Sequence, residues 1–146
     1  MRRVYLIDTN VISEIRKGAR ADPGVADFFA RAKISDEPTF IASITIGELR
    51  RGVAMVRHRG DAAQAARLES WLTTILDGYA QEILAFDADA AQIWGRLRVP
   101  DPSHALDKQI AAIALLFNLT VVTRNAADFA GTGVKLKNPF SPPPRP

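Results

Sequence analysis

The 146-residue chain is 47% hydrophobic and 24% charged, a mixture that supports a packed core and excludes extended disorder over most of its length. It has no cysteine, which excludes disulfides and thiolate chemistry, and its net charge of +3 permits a polyanionic partner without demanding one. No stretch approaches the roughly 20 apolar residues that cross a bilayer, and the apolar run Val4–Ile7 ends at an acid too early for a secretory signal. A cytoplasmic protein with no membrane partner is expected.

Val4-Tyr5-Leu6-Ile7 reads as a strand buried on both faces of a parallel sheet. Asp8-Thr9-Asn10 offers capping side chains ahead of Val11, Ile12 and Ile15 at helical spacing, and Lys17-Gly18 supplies the stop. Asp22-Pro23 opens a second helix through Val25, Phe28 and Ala32. Thr39–Ala42 reads as a strand, and a helix follows from Ser43 to Met55. A further helix runs through Ala65, Leu68, Trp71 and Ile75 to Gly78. Ile83–Phe86 reads as a brief strand, after which Asp87 caps a helix that Pro100 and Pro102 cannot continue. Ser103 is expected to start a helix ending at Phe117, with Asn118 as a left-handed cap. Leu119–Thr123 is the clearest late strand, a helical turn covers Ala126–Phe129, and Val134–Leu136 is a last strand. Residues 1–140 are expected to form one domain and 141–146 an extended proline-rich tail.

Strands alternating with helices predict an α/β domain with a mainly parallel sheet of about five short strands flanked by helices. In such sheets chemistry gathers beyond the carboxyl ends of the strands, where Asp8 and Thr123-Arg124-Asn125 both stand. Asp8, Glu48, Asp107 and Asp128 each fall at a helix start or a strand end. Asp107 shares the apolar stripe of its helix with Ile110 and Ala114, so its carboxylate points inward. Convergence of such acids is costly: at 4 Å each like-charged pair repels by about 4 kcal/mol at an effective dielectric of 20. A shared crevice therefore implies raised pKa values or a bound cation, and oxygen ligands favour Mg2+ or Mn2+ over zinc. Each acid also has an ordinary alternative. Thr45-x-x-Glu48 spells a capping box, Asp8 suits a helix cap, Asp107 suits a helix dipole and Asp128 a turn.

Five segments carry a resemblance. Val4–Glu14, Ile44–Gly52, Asp107–Ala112, Val121–Phe129 and Asn138-Pro139-Phe140 resemble, in order, the motifs of PIN-domain ribonuclease toxins of the VapC type, most nearly the FitB-like branch. The resemblance implies the PIN fold, with Asp8, Glu48, Asp107 and Asp128 as metal-binding catalytic acids and Thr9, Asn10, Thr123 and Asn125 as supporting polar residues. It also implies endoribonuclease activity, a homodimer, and an antitoxin protein that forms a toxin–antitoxin hetero-oligomer. Lys108-Gln109 departs from the smaller or apolar residues usual there.

In the mechanism this suggests, Asp8 and Asp107 are primary ligands of Mg2+ (or Mn2+), Glu48 orients or deprotonates the attacking water, and Asp128 completes the site. Acids alone repel RNA, so Arg124, Lys108, Arg16 and Arg50 are the candidate phosphate contacts. The rival from another class is a catalytically silent PIN-like module that binds RNA or a partner. A haloacid-dehalogenase-type phosphatase needs a second Asp two residues after the nucleophile, where Asn10 stands, and no Gly-rich phosphate loop follows a strand. A histidine-based nuclease has only His58 and His104 to use, and His104 is read as a cap-region or surface residue; the pair of helices from Ile44 to Tyr79, with alanine-rich faces such as Ala62-Ala63 and Ala65-Ala66, is a candidate partner surface.

Overall fold

The computed structural model describes residues 2–142, so the expected extended tail lies, beyond Pro142, outside the described residues. Five strands form one all-parallel sheet: β1 (Tyr5–Ile7), β2 (Thr39–Ala42), β3 (Ile83–Leu84), β4 (Thr120–Val122) and β5 (Lys135–Lys137), in the order β3-β2-β1-β4-β5. Six helices connect them: α1 (Thr9–Ile15), α2 (Pro23–Ile34), α3 (Ser43–His58), α4 (Ala62–Gly78), α5 (Ala88–Leu97) and α6 (Ala105–Phe117). The chain works outward from β1 through β2 to β3, then crosses back over α5 and α6 to lay β4 on the other side of β1. That reversal opens a crevice beyond the ends of β1 and β4.

The two-residue alternation of the strands divides the core. Tyr5, Ile7, Ile41 and Val122 face α1–α4, packing on Val25, Phe28, Leu49, Val53 and Leu72. Leu6, Ala42 and Val121 face the other layer, packing on Ala90, Ile110, Ile113 and Phe129. Both faces of β1 are fully covered, which is why its sequence is an unbroken apolar run rather than an alternating one. None of the described helices is long and apolar enough to cross a membrane.

Most expected boundaries hold within two residues, α3 runs to His58, three residues beyond Met55, and two of the smaller offsets have local causes. α1 starts directly after Asp8 and ends at Ile15, ahead of Lys17, because Gly18 adopts φ +59 and the chain passes into a short 3-10 turn. α6 begins at Ala105 rather than Ser103, since His104 takes a left-handed conformation and its carbonyl accepts the Lys108 N–H at 2.9 Å. Asn118 supplies the left-handed stop at the other end. Within the candidate partner segment Ala65 is fully buried in the monomer while Ala62, Ala63 and Ala66 are exposed.

The carboxyl end of the described chain is clamped to the start of α2. Asp22 Oδ1 caps the helix by accepting the Gly24 N–H at 2.8 Å, and it also accepts the Ser141 N–H at 2.9 Å. Gly24 is required by this approach: a Cβ there would lie 2.3 Å from the Pro139 carbonyl oxygen and 2.8 Å from the Ser141 nitrogen. Gly24→Ala should therefore displace the segment from Pro139 to Ser141, lower stability by about 1–3 kcal/mol in thermal unfolding, and hasten tryptic cleavage after Lys137. Wild-type unfolding and wild-type cleavage rates together would show that the clamp contributes nothing.

Candidate active site

Asp8 sits at the carboxyl end of β1, on the crevice, and is buried. Its carboxylate is held from both sides. Oδ1 accepts the Thr9 N–H at 2.8 Å, while Oδ2 accepts the Thr123 hydroxyl at 2.8 Å and the Asn10 amide at 3.4 Å. Thr123 follows β4, so the two central strands join hands through this acid, and the Asp8 N–H donates to Val122 O at 2.9 Å. The Asn10 carbonyl oxygen in turn accepts the Arg124 N–H, and the Asn125 N–H donates to Thr123 Oγ1. Glu48 reaches in from α3, where the Thr9 hydroxyl donates to its Oε1 at 2.9 Å. Asp107 comes from the first turn of α6 and Asp128 from the 3-10 turn after β4.

Four acids from four elements thus meet in one crevice, and their protonation reflects it. Burial raises the Asp8 carboxyl above the ordinary range against the pull of Thr123 and Thr9, and Asp128 adds repulsion. Burial likewise raises Glu48, opposed by the Thr9 hydroxyl and assisted by the charge of Asp8. Asp107 is pushed up to about 6 by burial and then by the charges of Asp8, Asp128 and Glu48. Its place at a helix N-terminus favours the anion by only about 0.3–1 kcal/mol, too little to offset three neighbouring carboxylates. An oxygen-rich, crowded and anionic pocket is the donor set a hard divalent cation needs.

The PIN domain family model matches residues 5–134, which span every one of these groups. The chain belongs to the PIN-domain family. It is 34% identical over 94% of its length to the protein named Toxin FitB of Neisseria gonorrhoeae, 99% of which is covered. It is 32% identical over 95% of its length to VapC ribonuclease Y4jK of Sinorhizobium fredii, again with 99% covered. The crystal structure of FitAcB from Neisseria gonorrhoeae superposes with a TM-score of 0.79 at 33% identity, covering 92% of this chain and 97% of that one.

The PIN crevice differs in several respects from what the sequence predicts. The Thr45–Glu48 capping box does not form: α3 begins at Ser43, so Thr45 is already inside the helix, fully buried, and its Oγ1 has no hydrogen-bond partner among the described residues. Glu48 is thereby released to face Thr9 and Asp8. Lys108 is not available to phosphate. It is buried, and its ammonium donates to the Asp101 carbonyl with Asp101 Oδ2 at 3.9 Å, bracing the loop ahead of α6. Arg50 is also engaged, in a two-pronged pair with Glu69 at 2.7 Å for each bond.

Arg124 lies over the Phe140 ring, 4.6 Å from its centroid. Arg16 keeps its place beside the crevice, on a groove of about 350 Å³ lined also by Thr9, Glu48, Trp71 and Arg59. A cleft of about 450 Å³, lined by Arg3, Asp27, Arg31 and Glu37 among others, holds none of the four acids.

Two further residues stand beside the site: Arg59 on the groove with Arg16, and His104, which the sequence suggests is a cap-region or surface residue. Arg59 could have been found only from the fold. His104 had a legible signal, the His-x-x-Asp spacing to Asp107 at a helix start, and its Nδ1 stands 3.6 Å from Asp107 Oδ2 and 4.0 Å from Asp128 Oδ1.

Asp107 binds a proton in the folded protein between its ordinary 3.8 and about 6, where the unfolded chain has released it. The folded state then holds more protons, so this group makes the metal-free protein lose stability as pH rises through that window. A divalent cation held here would bind the deprotonated form, so stabilisation by excess Mg2+ should be slight at about pH 5 and clear at about pH 7.5. Thermal unfolding with Mg2+ and with a chelator at both values checks this, and an equal metal effect at both would contradict it.

Lys108→Met should cost about 1–3 kcal/mol of stability by removing the donor to Asp101. Because the ammonium is turned away from solvent, the salt dependence of RNA binding should not change with it. A reduced salt slope would return Lys108 to the phosphate-contacting set.

Proposed function

We propose that the chain is a divalent-metal-dependent endoribonuclease and the toxin component of a toxin–antitoxin pair. The observation that carries this reading is the convergence of Asp8, Glu48, Asp107 and Asp128 in one crevice, where burial and mutual repulsion raise three of them above the ordinary carboxylate range. The names of the relatives, a toxin and a VapC ribonuclease, support it.

Asp8 and Asp107 are the groups suited to hold the ion, since one is fixed by three donors and the other is the most strained by its neighbours. When bound, Mg2+ or Mn2+ supplies a Lewis acid for the phosphate and lowers the pKa of a coordinated water. Glu48, with Oε1 taken by Thr9 and no hydrogen bond at Oε2 among the described residues, is suited to orient the water and receive its proton. Asp128 completes the anionic wall. Thr9, Asn10 and Thr123 hydrogen-bond these carboxylates, and the Asn125 N–H supports Thr123 Oγ1. Arg16 and Arg59, on the groove beside Glu48, and Arg124 at the strand end are the cations left to meet RNA phosphates.

A homodimer and a complex with an antitoxin protein belong to the same reading, as does a single PIN domain over residues 1–140 followed by a short tail.

Asp8→Asn and Asp107→Asn should each lower metal-dependent RNA cleavage by at least about a hundredfold, or about 2.7 kcal/mol of barrier, with an unchanged circular dichroism spectrum. Asp107→Asn should also raise the thermal midpoint of the metal-free protein, because it removes one of the crowded charges. Unaltered cleavage in both variants would end the nuclease reading, and RNA retained but never cut by the wild type would favour the binding module.

A further inference from the structure

The loop between α5 and α6 delivers an imidazole to the acid crevice. His104 holds φ 55 and ψ 45, a left-handed conformation that costs a non-glycine residue about 1 kcal/mol. The turn is secured from several sides. Lys108 donates to the Asp101 carbonyl, Asp101 Oδ1 accepts the Ser103 N–H at 2.9 Å, and the Trp94 indole donates to the Ala105 carbonyl at 2.9 Å. The result is that Nδ1 faces two carboxylates from different elements, Asp107 on α6 and Asp128 on the 3-10 turn after β4. One ligand atom from each of the three side chains lies within 4.8 Å of the others.

Those spacings match a shared ion. Ligands about 2.1 Å from one cation stand about 3.0 Å apart when adjacent and about 4.2 Å apart when opposite. The trio reaches that range with adjustments under about 1 Å, within the reach of side-chain torsions. A histidine that merely paired with the start of its own helix would need Asp107 alone; proximity to Asp128 is what the fold adds.

We propose that His104 Nδ1 is an additional protein ligand of the crevice cation, alongside Asp107 and with Asp128 beside them, giving this chain's metal centre a nitrogen donor and a preference for Mn2+ over Mg2+. The proposal rests on the metal-dependent reading of the crevice. The ring binds as the neutral tautomer with its proton on Nε2 and the Nδ1 lone pair free. Oxygen-only sites suit Mg2+, which keeps its waters and gains little from imidazole, whereas transition ions gain along the Irving–Williams order.

The test uses the full chain loaded with Mn2+ or Mg2+, with binding followed by calorimetry and the Mn2+ environment by electron spin echo spectroscopy. The variants are His104→Gly, which suits the left-handed backbone, and His104→Asn, which tolerates it without an imidazole. Wild-type protein should show nitrogen coupled directly to Mn2+, and both variants should lose that coupling. Mn2+ affinity should fall at least about tenfold while Mg2+ affinity changes less than about threefold. Mn2+ bound without nitrogen coupling, or an unaltered Mn2+ to Mg2+ affinity ratio in the variants, overturns the histidine ligand and leaves the carboxylate site standing. Absence of any divalent binding by the wild type overturns the nuclease reading and this inference with it.

Discussion

Like charges brought together by the fold set the terms for everything else in this protein. Asp8, Glu48, Asp107 and Asp128 arrive from β1, α3, α6 and the turn after β4, and three of them are held above the ordinary carboxylate range by burial and by one another. Such a crevice destabilises the folded chain unless something offsets it. Part of the offset is built in, because the Asp8 oxygens accept from Thr9, Thr123 and Asn10 and one Glu48 oxygen accepts from Thr9, which leaves lone pairs on both carboxylates. Asp107 has no comparable donors, only the imidazole of His104 at salt-bridge distance and the weak field of its helix, and it is the group pushed furthest. The unevenness sorts the acids: Asp8 and Glu48 are positioned by protein donors, whereas Asp107 lacks such donors.

The sheet reversal makes that arrangement possible. With β4 returning to the far side of β1, Thr123 comes beside Asp8, and the two central strands share a side-chain hydrogen bond beyond their last backbone pairing. The second layer then places α6 so that its first turn faces the same crevice. Its start is held by groups with no part in the chemistry: the Trp94 indole, the buried Lys108 ammonium and the Asp101 carboxylate. Glu14 works similarly on the other layer. It is buried, pairs with Lys17 at 2.9 Å and accepts the Asp22 N–H at 3.0 Å, fixing α1 to the start of α2.

How legible each part was depended on how local its cause is. The strand Tyr5–Ile7, the Asp22-Pro23 start and the Asn118 stop all follow from residues within a few positions, and the structure has them. The capping-box alternative for Thr45–Glu48 fails because the helix starts, as expected, at Ser43, after an alanine with no capping side chain, so tertiary packing and not the cap sets that boundary. Lys108 and Arg50 misled for a different reason. Each looks like a free cation until its partner is known, and those partners, the Asp101 carbonyl in a preceding loop and Glu69 on the next helix, are set by the fold. The four acids lie up to 120 positions apart, so only pattern, and no spacing rule, could group them.

Loss of Lys108 and Arg50 as open cations changes how a polyanion would meet this surface. A phosphate chain approaching the crevice experiences repulsion from the acids at its centre, and a net charge of +3 spread over 146 residues does little at short range. What remains near the crevice is Arg16 and Arg59 on the Trp71 groove and Arg124 stacked on Phe140. Arginine at a rim positions a backbone without neutralising the catalytic acids, because pairing with them would quench the site. The Glu69 pair holds Arg50 to α4 in the same sense, away from Glu48 two residues before it. Attraction is thereby kept at the edge and anionic density at the centre, so under the proposed function the charge that draws a phosphodiester inward at the last step would come from a bound cation rather than from a side chain.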